Sequence, residues 1–271
     1  MKRIAVLMTC FNRVETTLQC LRGLFAQKTP PGFSFDVWLV DDASPDRTGE
    51  KVKSAYPQVN VIQSSGNLFW CKGMRLAWDT AAGTCDYDFY LWLNDDSYLY
   101  SHALQTVCSD YETLGGGRVI VGAFCSEEDS TRVSYSCRDI ANRDITPNGV
   151  APQKGYHVFG GNFVLIPREV VNVVGRISND YHHAYGDFDY ARRLTRAGFE
   201  FYATSQFVGA CSTHAAVYPL KGMAFMKRVK LLWRPNGYHV GDAFLYRRRH
   251  NGLFRAILSV AHVVFKVLRG K

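Results

Sequence analysis

The chain has 271 residues, of which 47% are hydrophobic and 14% aromatic, a globular composition with room for one large α/β domain or two small ones. It contains no run of about 20 apolar residues, which argues against an ordinary membrane-spanning helix. The net charge of +8 sits at the end: residues 221–271 carry twelve Lys/Arg against one acid, Asp242, while the first 220 residues hold 20 Lys/Arg against 23 Asp/Glu.

The opening "MKRIAVLMTCFNR" has the charge of a leader peptide, but its apolar run is short and no small-residue cleavage site follows. A first strand over 3–9, buried on both faces, is the better reading. A helix over 12–27 follows, with Val14, Leu18, Leu21 and Phe25 at helical spacing, Asn12 as N-cap and Glu15 completing a capping box. A second strand (35–44), a helix (47–56), a third strand (59–65), a helix (71–83) and a fourth strand (87–96) complete a βα alternation, which predicts a mostly parallel, doubly wound sheet. Residues 118–165 read as antiparallel strands with turns, and 188–198 as a helix. The eight cysteines include no C-x-x-C pair. They read as core residues in a reducing compartment rather than a disulfide framework or a zinc site.

Open α/β sheets bind ligands at the carboxyl ends of their strands. Three loops leave those ends here: "TCFNR", "VDDAS" and "LNDDS". None carries the glycine pattern of a dinucleotide site, and no Walker pattern is present. The loops carry the acid pairs Asp41–Asp42 and Asp95–Asp96 instead. Hard oxygen ligands of this kind suit Mg2+ or Mn2+, which in turn bridge a diphosphate. A solvated turn is the alternative reading of each pair.

Taken together, "TCFNR", "LVDDAS", "GNLFWCKGMRLAW", "LWLNDDS", "GGNFVLIPR" and "YGDFDYARRLTRAGF" resemble the inverting family-2 glycosyltransferases of GT-A fold. Within that family the likeness is nearest to the bacterial branch that builds O-antigen, capsule and other surface polysaccharides, including rhamnosyl- and galactofuranosyltransferase-like members. It runs from about residue 3 to about residue 215 and rests on the order and spacing of the motifs. It implies a catalytic domain over 1–217, with a nucleotide-binding half (1–100) and an acceptor-side half (101–217), followed by a basic extension (218–271). It also implies a nucleoside diphosphate sugar as donor, UDP-hexose, UDP-galactofuranose or dTDP-rhamnose, and Mn2+ or Mg2+ as cofactor.

The resemblance assigns roles by position. Thr9, Asn12 and Arg13 fall where the family holds the donor's base and ribose. Asp41, with Asp42 beside it, matches the carboxylate that accepts a hydrogen bond from a pyrimidine N–H. Asn94, Asp95 and Asp96 match the D-x-D triplet, with Asp96 at the metal-ligating position. Asn94 departs from the strict form, which puts a direct role for it in metal binding in doubt. Asp187 falls on the catalytic base, and His214 on a histidine that reaches the metal or the diphosphate.

Chemistry supports Asp187 independently. Inverting transfer needs one carboxylate to take the acceptor's proton, and a predicted helix N-terminus favours an anion there. The competing reading is that Asp187 or Asp189 caps that helix. Asn67 fits a tight turn near the donor. Trp70 suits stacking on a sugar or ordinary core packing. In "GGN", Gly161 admits a close backbone approach, and Asn162 has hydrogen-bonding capacity for a donor or acceptor hydroxyl. Asp189 is a further candidate acceptor contact. Lys72 and Arg75 suit the diphosphate oxygens or a solvated helix face, and His182 and His183 carry no assignment.

In "LFRAILSVAHVVFKVLR" (253–269), Arg255, Ser259, His262, Lys266 and Arg269 recur in steps of four and three, a polar stripe on an otherwise apolar helix. With "YRRRH" (246–250), this suits a helix lying in an anionic membrane interface, hence a peripheral protein at the inner face of the cytoplasmic membrane acting on a lipid-linked glycan. Packing on the body or on a second subunit is the alternative. Two rival functions share some of these features. A sugar nucleotidyltransferase shares the sheet and the metal. A nucleic-acid-binding protein shares the basic tail, but the acidic crevice disfavours a polyanion.

Overall fold

In the computed structural model, residues 1–212 and 220–270 are described. Strand β1 (Lys2–Cys10) shows why its sequence is apolar without alternation. Ile4, Val6 and Met8 enter the core on one face of the sheet, and Ala5 and Leu7 enter the core on the other. Helix α1 (Val14–Phe25), β2 (Phe33–Asp41), α2 (Thr48–Ala55), β3 (Asn60–Gln63), α3 (Phe69–Thr84) and β4 (Phe89–Leu93) follow in the expected order. The parallel strands run β3-β2-β1-β4, with Cys10 opposite Asp41 and Leu7 opposite Trp92. The direction of winding therefore reverses between β1 and β4, and such a switch point opens a crevice at the strands' carboxyl ends.

The second half is mixed. It comprises β5 (Tyr98–Leu99), α4 (Ala103–Thr113), β6 (Val119–Ser126), β7 (Val133–Tyr135), β8 (Cys137–Arg138), β9 (Gln153–Lys154), β10 (Tyr156–Phe159), β11 (Phe163–Pro167), α5 (Arg168–Val174), α6 (Gly186–Arg196) and β12 (Phe201–Cys211). Strand β11 joins β4 antiparallel, and the sheet continues through β6 and β12 to β5. The antiparallel pairing expected within 118–165 is present as β6–β7, β6–β11 and β8–β10, but β6 also pairs parallel with β12, outside that segment.

The expected Asn12 cap is corrected. Asn12 lies at φ 53° with its N–H on Ser44 Oγ, and α1 begins at Val14, whose N–H is taken by Asp46 Oδ2 at 3.0 Å. The helix is capped from the loop before α2, because a left-handed Asn12 turns the chain away from the geometry a local cap needs.

The basic end folds as α7 (Phe225–Lys230), α8 (Val240–Asn251) and α9 (Leu253–Arg269). Val267 of α9 meets Leu220, Leu231 and Leu232 in a small core of its own. The opposite side of α9 exposes Phe254 (74%), Ile257, Leu258, Phe265 and Leu268, and Phe225, Met226 and Trp233 are exposed nearby in sequence. Among the described residues, no helix is long and apolar enough to cross a membrane.

Candidate active site

The loops after β1 and β4 meet at the switch point. Arg13 donates from Nη1 to Asp96 Oδ2 at 2.8 Å, and its Nη2 lies 3.2 Å from Asp95 Oδ1. Asp95 is 2% exposed, and Thr17 Oγ donates to its Oδ2 at 3.1 Å. Burial, with Asp96 alongside, pushes the Asp95 carboxyl up to about 7 against the pull of Arg13. One guanidinium thus serves two adjacent carboxylates. The residue expected at the donor's base or ribose is found on the acid pair.

Asp41 and Asp42 extend the acidic edge, with their carboxylates turned to backbone. Asp41 accepts from Ser44 N at 3.0 Å and from Gly49 N at 3.1 Å. A side chain at residue 49 would put Cβ 2.6 Å from Asp41 Oδ2, so glycine is what lets α2 approach. Asp42 accepts from Ser64 Oγ and from the N–H groups of Leu68 and Phe69, satisfying the start of α3. Both are nearly buried. Asn67 stands exposed in the left-handed region at φ 65°, at the turn into α3. Thr9, at the end of β1, packs against Gly73 of α3.

A second set of contacts leads from the acid pair to Asp187. Asn94 Oδ1 accepts from Trp70 Nε1 at 2.7 Å, so the residue at the head of the triplet orients an indole. Trp70 stands edge-on to Trp92, 5.7 Å between centroids. Its far edge closes on Gly161, where a Cβ would lie 2.7 Å from Trp70 Cη2 and 3.2 Å from Asp187 Cβ. The Gly161 N–H donates to Asp187 Oδ2 at 3.1 Å, and the Phe188 N–H donates to Oδ1 at 2.8 Å. Asp187 is half-buried in the first turn of α6, and Tyr185 before it is held at φ 71°. Burial pushes its carboxyl up to about 6, while the two amides pull it back. Asn162 is fully buried. Its Oδ1 accepts from Ser97 Oγ at 3.0 Å, and its backbone carbonyl accepts from Asn94 N at 2.9 Å. It therefore ties β11 to the triplet.

Asp189 does not join this cluster. It is 0% exposed, and its carboxylate is filled by Arg193 (2.8 Å), Arg249 (3.0 Å), His250 (2.9 Å) and Tyr181 (3.1 Å). Burial pushes it up, yet these partners outweigh that and hold it below the usual carboxylate range. The expected acceptor contact is corrected to a structural ion cluster. His214 lies outside the described residues. Cys211, the last residue of β12, places its Sγ 3.6 Å from the backbone carbonyl of Asp96.

Two contributors were not read from the sequence. Tyr135 sits on the three-residue β7. Burial, with the charges of Asp96 and Asp187 both adding, holds its hydroxyl well above its usual range, so it lies within electrostatic reach of both acids. Helix α8 grips the segment around Asp187: Tyr246 stacks on Tyr185 at 5.1 Å, Arg249 pairs with Asp180, and Asp242 accepts from His182 N at 3.0 Å. The cavity of about 410 Å³ lined by Asp139, Arg143, Asp144, Ile145, Thr146, Gln153 and Lys154 shares no residue with this cluster.

Comparison with known proteins adds to this geometry. A family described as "Glycosyl transferase family 2" matches residues 5–175. No curated protein sequence matches the chain. Among solved structures, the mannosyltransferase PcManGT from Pyrobaculum calidifontis, in complex with GDP-Man and Mn2+, superposes with a TM-score of 0.58 at 15% identity, covering 99% of this chain and 72% of that one. TarS 1–349 of S. aureus in complex with UDP-GlcNAc gives a TM-score of 0.58 at 13% identity, over 100% and 81% of the two chains. At such identities the likeness is one of fold, and it is the GT-A arrangement of a central mixed sheet.

Proposed function

The chain belongs to glycosyl transferase family 2, and on that premise we propose that it moves one sugar, with inversion, from a nucleoside diphosphate sugar to a hydroxyl of a glycan. Asp187 is the base. It takes the proton from the acceptor hydroxyl as that oxygen attacks C1, and the bond from C1 to the diphosphate oxygen breaks on the opposite face. The observation that carries this is the hold on Asp187: two backbone N–H groups fix both oxygens, and the carboxyl is pushed up to about 6. A carboxylate so held remains ionised at neutral pH while being a stronger base than a solvated one.

The acid pair fits a divalent ion. Its hard oxygens lie side by side against the Arg13 guanidinium, and burial, with Asp96 alongside, pushes the Asp95 carboxyl up. Mn2+ or Mg2+ held by Asp96 and His214 would offset the charge of the departing diphosphate. Arg13, whose Nη2 lies 3.2 Å from Asp95 Oδ1, would add positive charge for the same phosphates. Trp70, locked by Asn94 and Gly161, offers its indole to the sugar next to the base. The backbone on Asp41, Asp42 and Asn67 shapes the seat of the base and ribose, with a pyrimidine as the reading from the sequence.

We read the acceptor as lipid-linked and the pathway as bacterial surface polysaccharide synthesis at the inner face of the cytoplasmic membrane. Two features support this: the motif likeness, and an apolar row on α9 flanked by the basic residues of α8 and α9. Thermal-shift screening of nucleotide sugars with Mn2+, followed by detection of the released nucleoside diphosphate, tests the reading. Pyrophosphate release from a nucleoside triphosphate would favour a nucleotidyltransferase instead.

A further inference from the structure

His182 lies in the segment leading to Asp187, while His239 and Asp242 open α8. Asp242 is 2% exposed. Its Oδ2 is taken by the His182 backbone N–H, which turns Oδ1 toward both imidazoles. Oδ1 lies 2.9 Å from His182 Nδ1 and 3.0 Å from His239 Nδ1. One ligand atom from each of the three side chains lies within 4.8 Å of the others.

Protons alone serve this set poorly. His239 Nδ1 accepts the backbone N–H of Asp242 at 3.1 Å, so it presents a lone pair and has no proton to give Oδ1. Two electron-rich atoms then face each other beside a buried carboxylate, with His182 Nδ1–H as the one ring donor to it. A cation relieves this by accepting both nitrogens and the oxygen. The nitrogen–oxygen edges of 2.9 and 3.0 Å are close to the ~3.3 Å edge of a tetrahedron built on bonds of about 2.0 Å. The amino end of α8 opposes a cation, but the full charge of Asp242 exceeds the roughly half charge of the dipole.

We propose that His182, His239 and Asp242 bind a divalent ion of the Zn2+ class, separate from any ion on the donor diphosphate, and that this ion clasps α8 to the segment bearing Asp187. Two imidazoles and one carboxylate select Zn2+ over Mg2+, with water in the fourth position. As the ion enters, His182 changes tautomer, its proton passing from Nδ1 to Nε2 by way of solvent, and the cap bond to His239 opens.

The test uses the untagged full-length protein, dialysed against Zn2+ and then against buffer, with metal content and melting temperature measured. Wild type and Asp96→Ala should each retain one ion per chain, and Zn2+ at about 100 times its Kd should raise the melting temperature by roughly 5 °C. His239→Ala should lose both effects, and so should His182→Gln, which changes a partly exposed ring and leaves α8's cap intact. Wild type that retains no Zn2+ and shows no rise would overturn the proposal. So would an ion that leaves with Asp96→Ala yet persists in His239→Ala and His182→Gln, since that ion belongs to the donor site.

Discussion

The backbone N–H of Gly161 holds Oδ2 of Asp187 at 3.1 Å, and the edge of Trp70 closes on the same glycine. Asp187, Trp70 and the acid triplet are therefore mechanically linked, since Asn94 of the triplet holds Trp70 in turn. Gly161→Ala should leave the fold intact and lower kcat by about 100-fold, the scale of a displacement near 1 Å at a reacting group. Steady-state kinetics alongside circular dichroism checks this, and wild-type kcat would show that the close approach is dispensable.

The raised carboxyl of Asp187 gives pH dependence of known sign. Activity should fall as pH drops through about 6, where the base becomes protonated. Stability runs the other way. A carboxyl raised in the folded state makes a contribution that is full below its unfolded value and is lost as pH rises through about 6. Asp187→Asn abolishes this titration while giving up one of the two amide hydrogen bonds, so its melting temperature relative to wild type should rise between pH 4 and pH 8. Equal melting temperatures at both pH values would contradict the shift.

Asp189→Ala should be destabilising rather than kinetically selective. It strips a buried anion from Arg193, Arg249 and His250, and breaking a buried pair costs about 3–5 kcal/mol. Denaturant melts should show that loss, with the acceptor KM of the folded fraction unchanged. A raised KM at full stability would restore an acceptor role.

The outward row on α9 should seat on anionic bilayers. Phe254→Ser with Phe265→Ser removes two large exposed apolar side chains and should reduce flotation with phosphatidylglycerol vesicles at least 10-fold, at unchanged melting temperature. Retained flotation, or a shift from dimer to monomer in solution, would assign the row to something other than lipid.

Much of this was legible in the sequence, for identifiable reasons. The apolar runs at β1, β2 and β4 are strands buried on both faces, and a parallel sheet puts the loops after such strands on one edge, so the sequence itself groups the carboxylates there. Helix α9 matched its polar period from Leu253 to Arg269. Strand β12 was missed because Thr204, Ser205 and Gln206 interrupt its apolar pattern. The burial of Asp189 was hidden because Arg249 and His250 come sixty residues later, and the place of Tyr135 because β7 is too short to carry a period. The pairing of Arg13 with Asp95 and Asp96 is not legible in the sequence, since register alone does not show which acid a flexible guanidinium meets.

The most direct measurement is turnover and donor affinity in Asp187→Asn, assayed with the nucleotide sugar that the screen identifies. If Asp187 takes the acceptor's proton, kcat falls by about 10²–10⁴-fold while the calorimetric Kd for the donor stays within about twofold. Wild-type turnover in that variant would contradict the assignment of the base.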